Sequence, residues 1–130
     1  MLAPVPLVGV RAMRALARRV ERAPAAAANT PALLGHIVRM QEEIGTGGAG
    51  FRFIYAAFLQ EAAAIAALPR LAEFSERLTT IGDGWRMFAL MAARMIKGRD
   101  PLDPKAVAEK LRGQAQQEEA FFRDLRAAVR

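Results

Sequence analysis

Apolar positions recur along this chain at spacings of three and four, and they mark out a series of helices. Val10, Met13, Leu16, Ala17 and Val20 share one face of a first segment, with Arg11, Arg14, Arg18 and Arg22 across from it. Residues 23–30 are a Pro/Ala-rich linker. Thr30-Pro31 then supplies an N-cap and a first-turn proline. The second helix lays Leu33, Leu34, Ile37, Val38, Met40 and Ile44 along its apolar face and stops at Gly45. From Pro69 the apolar residues Leu71, Phe74, Leu78, Ile81, Trp85, Phe88, Ala92 and Met95 alternate steps of three and four without a slip, as a helix packing in a bundle requires. Gly82 and Gly84 interrupt that chemistry but not its phase, which predicts a kink or a close helix crossing. Asp103-Pro104 opens a last helix whose inward side reads Val107, Leu111, Phe121, Phe122, Leu125 and Val129.

The stretch between the second and fourth helices is different in kind. Gly45-Thr-Gly-Gly-Ala-Gly runs straight into a segment that is apolar nearly all the way round. Phe51, Ile54, Tyr55, Phe58, Leu59, Ala62, Ile65 and Ala66 cover one half; Phe53, Ala56, Ala57, Ala64 and Ala67 hold the other, with Gln60 among them. A helix with no polar face is normally a buried one. The pattern therefore predicts an all-α fold: a compact bundle of about five helices around a buried central helix at about residues 50–68. One helical domain is expected over residues 1–130, with a basic amphipathic first helix (1–22), the linker (23–30) and the main bundle (31–130).

Composition narrows the function classes. The chain is 53% hydrophobic and 25% charged, which places it among globular proteins. It holds no cysteine and one histidine, His36, so a thiolate metal site, a cysteine nucleophile and a histidine cluster are excluded within it. No metal or other cofactor is expected. The net charge is +6, of which residues 1–22 contribute +4, from five arginines against Glu21. That concentration makes Arg11, Arg14, Arg18 and Arg22 a candidate docking face for an acidic partner, and argues against a general nucleic-acid surface. No apolar run is long and uncharged enough to span a membrane, and the first ten residues lack the order of a secretory signal, so a cytoplasmic protein is expected.

Candidate chemistry gathers at the third helix. Gly47 and Gly48 lie in a glycine-rich loop at a helix start, where free N–H groups attract anions, yet no strand precedes it and the Walker lysine is missing. Arg52 sits in a first turn, where the helix dipole opposes a cation. Glu118 falls in the middle of the last helix's inward side, where a bare carboxylate is very costly. Each is accounted for by the other, and direct contact is predicted, with Tyr55 or the Gly47–Gly48 backbone completing the hydrogen bonds. Glu61 is a second partner for Arg52; the functional option is a ligand carboxylate or phosphate held between Arg52 and the glycine loop. No nucleophile–base–acid set can be assembled: Ser75, the one serine, reads as a surface position, and His36 stands at the edge of its helix's apolar face.

The pattern Gly47-Gly48-x-x-Phe51-Arg52-x-x-Tyr55-x-x-Phe58-Leu59-x-Glu61-Ala62 resembles the signature of the C-terminal helical domain, domain of unknown function 4872, of butirosin-biosynthesis-protein-H-like proteins. Residues 81–89 and 118–125 are similar to that domain's Trp-containing and closing helices. The resemblance implies an all-helical fold that follows a papain-like domain carrying a cysteine nucleophile and a histidine. It implies membership of an acyltransferase system that moves an aminoacyl group from an acyl carrier protein to an aminoglycoside. The present chain has neither the cysteine nor the length for that first domain. The resemblance thus points to an accessory domain that binds substrate or carrier protein, with a cysteine-containing papain-like domain or an acidic acyl carrier protein as partner and no turnover of its own. A self-associating helical scaffold, a homo-oligomer without a small-molecule role, is the alternative.

Overall fold

The computed structural model describes residues 9–24, 27, 29–42 and 49–129. They form five helices and no strand: α1 (Gly9–Arg22), α2 (Thr30–Glu42), α3 (Arg52–Ile65), α4 (Arg70–Ile96) and α5 (Pro104–Ala128). The all-α bundle is as the apolar pattern predicts. Its centre is not. α4 is the helix that the others share: α2, α3 and α5 all pack on it, and α1 packs on α5. The fourth helix's seam is buried from Leu71 to Ala92, and it meets Leu34 of α2 and Val107, Leu111 and Phe121 of α5 in one core. Phe121 stands edge-on to Phe74, and Phe88 edge-on to Trp85, at centroid distances of 5.8 and 5.7 Å.

The expected buried central helix at 50–68 is therefore corrected. Among the described residues only α4 runs close to the α3 backbone, and α5 reaches α3 through side chains, Glu118 to Arg52 and Phe122 to Tyr55. Its buried side is made of Arg52, Ala56 and Leu59, while Ile54, Phe58 and Ile65 are 63%, 60% and 85% exposed. Leu59 and the Phe53 ring face inward while Ile54, Phe58 and Ile65 face outward, so a helix whose composition suits burial lies at the edge of the bundle.

The two α4 glycines act as close crossings inside a continuous helix. A Cβ on Gly82 would come within 2.6 Å of the Phe53 ring of α3, and one on Gly84 within 2.3 Å of the Gln114 side-chain oxygen of α5. Ser75 lies in the first of these seams rather than at the surface, and its hydroxyl donates to the Ala56 carbonyl at 2.6 Å. The Asp103 side chain caps α5 by accepting from Ala106 N–H at 3.1 Å, as the Asp-Pro pair predicts. The Thr30 hydroxyl instead donates to the Pro24 carbonyl at 2.8 Å and ties the linker down. Gly45, the expected stop of α2, and Ile44 lie outside the described residues.

α3 ends through a left-handed residue. Leu68 N–H donates to Ala63 C=O at 3.1 Å across Ala67, whose φ is +54°. That position favours glycine, because a Cβ is disfavoured at positive φ. Ala67 is exposed, so the methyl group packs on little. Ala67→Gly is expected to stabilise the protein by about 0.5–1 kcal/mol, seen as a higher urea midpoint at unchanged slope.

Candidate functional site

The chain enters α3 through Ala49 and Gly50, both at positive φ, with Ala49 N–H held by Glu42 Oε1 at 3.1 Å. This turn sets Arg52 on the inward side of the first turn of α3. Its guanidinium lies side-on against Glu118 of α5: Nε donates to Oε1 at 2.5 Å and Nη2 to Oε2 at 3.1 Å. Both side chains are almost wholly buried, at 7% and 3% exposure. The third partner comes from α4, where Trp85 Nε1–H donates to Glu118 Oε1 at 3.0 Å. The Arg52 guanidinium carbon also stands 4.8 Å from the Phe51 ring centroid and 4.9 Å from that of Trp85. A cation that the helix dipole disfavours is thus held by a carboxylate, two aromatic faces and three helices. The carboxylate accepts three hydrogen bonds, which is what its burial demands.

This triad forms the deep end of a cleft of about 370 Å³ between α1, α3 and α5. Met13 and Leu16 of α1, Ile37 of α2 and Leu111 of α5 line it, with the more exposed Phe51 and Phe122 toward its mouth. Arg52 and Glu118 are the charged residues of the lining.

Other predicted residues fall elsewhere. Tyr55 does not complete the Arg52–Glu118 hydrogen bonds; its ring packs on Phe58 and Phe122, at 5.9 and 6.2 Å. Trp85 fills that role, and the sequence carried a signal for it, since a buried indole needs an acceptor. Glu61 is exposed on the outer side of α3, away from Arg52. Gly47 and Gly48 lie outside the described residues, and with them the glycine-loop arm of the ligand reading. His36 is exposed on α2.

The arginine face of α1 divides in two. Arg14 is ion-paired with Glu119 of α5, and Glu21 with Arg112 at 2.5 Å, so the edges of the α1–α5 seam are clasped by charge. The hydrogen bond from Arg14 holds the Glu119 carboxyl below the usual carboxylate range, and that from Arg112 does the same for Glu21. Arg11, Arg18, Arg19 and Arg22 are exposed and make no ion pair among the described residues. Arg14 is therefore structural, and Arg19 joins the open basic surface. Arg18 and Arg14, with Arg112 and Arg123 of α5, line a wide groove between the two helices.

A second surface was not foreseen. Phe51, Ile54, Phe58 and Ile65 follow one another at steps of three, four and seven, and all four are exposed on one side of α3. Exposed Glu61, three residues beyond Phe58 and four before Ile65, stands in the same row, so the surface is an apolar stripe carrying one carboxylate, with exposed Leu68 beyond the helix.

The family model for Domain of unknown function (DUF4872) matches residues 1–125 of this chain. No curated protein and no solved structure matches it.

Proposed function

This chain belongs to the family of Domain of unknown function (DUF4872), and we propose that it is the accessory, partner-binding helical domain of a butirosin-biosynthesis-protein-H-like acyltransferase system. It works in the cytoplasm beside a cysteine-containing papain-like domain, supplied by another chain or by the rest of a longer one. The observation that carries this reading is the uncovered apolar stripe of α3. Phe51, Ile54, Phe58 and Ile65 are arranged as a packing face, yet α4 lies on the other side of the helix. Two residues that could do chemistry are engaged structurally: the Ser75 hydroxyl donates to Ala56, and Glu118 holds Arg52 and Trp85. The open arginines of α1 form a separate surface suited to an acidic acyl carrier protein, by charge attraction that steers encounter.

Two sets of variants test the two surfaces. Ile54→Asp/Phe58→Asp is expected to weaken binding to the papain-like domain by a factor of about 10–100, with unchanged helicity and melting temperature. Replacing Arg11, Arg18, Arg19 and Arg22 by glutamine is expected to weaken binding to the carrier protein, as is raised salt. Isothermal titration reads both. Binding untouched by the aspartates removes α3 as the interface. A concentration-dependent dimer that the aspartates dissolve establishes the self-associating scaffold in its place.

A further inference from the structure

The cleft above the Arg52–Glu118–Trp85 triad shares Phe51 with the α3 stripe, but the inference drawn from it rests on the buried Arg52 donors and on neither docking surface. A guanidinium carries five N–H donors. Arg52 uses Nε–H and one Nη2–H on Glu118, and one Nη1–H approaches Ala49 C=O at 3.5 Å. One donor on Nη1 and one on Nη2 have no acceptor among the described residues. Donors left so in a buried group are costly. The space beside them is a cleft of about 370 Å³, within the range of small-molecule sites, whose other walls are apolar and aromatic.

We propose that this cleft binds an uncharged, apolar small molecule carrying one carbonyl-type oxygen, which accepts a hydrogen bond from Arg52 while its apolar body lies along Met13, Leu16 and Phe122. The charge balance selects a neutral ligand. Glu118 already matches the Arg52 charge side-on, so an added carboxylate would stand close to the Glu118 oxygens in a setting that screens poorly. An ammonium would face the guanidinium. An amide or ester oxygen takes the free N–H at neither cost.

Trp85 is the single tryptophan of the chain and lines the cleft, so its emission reports on occupancy directly. The full chain would be titrated with octanamide, octanoate and octylammonium, which share one chain length and differ in head-group charge. Octanamide is expected to change Trp85 emission saturably with a Kd of about 1 mM or tighter, and to raise the melting temperature. Octanoate and octylammonium should bind at least about tenfold more weakly. Ala12→Phe, which places a ring in the cleft and leaves the triad intact, should remove the response to octanamide. If that variant does not fold, the ranking of the three compounds on the unaltered chain still decides. No saturable response to octanamide, equal or tighter binding of octanoate, or an unchanged response in folded Ala12→Phe would each overturn the proposal; the first leaves a cleft that holds only water.

Discussion

Arg52→Met is expected to lower the stability of the protein by about 3–5 kcal/mol, and Glu118→Gln to lower it comparably, because each leaves the other's charge buried without its partner. The geometry makes the loss steep. Both side chains are almost wholly buried, the pair is joined by two hydrogen bonds, and Trp85 depends on the same carboxylate. The double variant Arg52→Met/Glu118→Gln should cost clearly less than the two single losses added together, since removing both charges leaves neither stranded. Urea unfolding of the four proteins measures this. Strict additivity would show that the two residues do not act as a unit.

The second large effect is expected at Gly84. Alanine there improves intrinsic helix propensity by about 1 kcal/mol, yet Gly84→Ala should destabilise the protein by about 2–3 kcal/mol. Its Cβ would overlap the Gln114 amide, with the oxygen 2.3 Å away. Gln114 is buried, and its Nε2 donates to the Ile81 carbonyl at 2.8 Å. Displacing it strands a buried amide, at about 1–3 kcal/mol, and overpacks the α4–α5 seam at a similar cost. Gly84→Ala/Gln114→Ala should recover part of that loss, because the truncated side chain vacates the space that the new methyl group enters. A stabilising Gly84→Ala would mean the crossing is looser than the structure has it.

Periodicity made much of this molecule readable in advance, and its failures have a common cause. The α4 seam and the Asp103 cap follow from local rules, and the structure has both. The Arg52–Glu118 contact was legible for a different reason: a cation at a helix start and a carboxylate on an inward face each lack a local explanation, and those two gaps match. Where local pattern misled, the deciding partner was remote in sequence. Arg14 reads as a free member of an arginine face until Glu119 is placed beside it, and Ser75 as a surface hydroxyl until Ala56 crosses it. The case of α3 is the most instructive. Its pattern describes a surface that is comfortable when covered, but pattern alone does not say whether this chain supplies the cover. α4 covers the side of Ala56 and Leu59, while Ile54, Phe58 and Ile65 are on the other.

That uncovered side is the centre of the functional account, and isoleucine methyl NMR addresses it most directly. Ile54 and Ile65 are exposed on α3, whereas Ile37 and Ile81 are buried in the core and act as internal references. On addition of an equimolar papain-like domain, the account predicts that the Ile54 and Ile65 resonances shift or broaden while those of Ile37 and Ile81 hold their positions. A complex that forms with Ile54 and Ile65 unperturbed would contradict it.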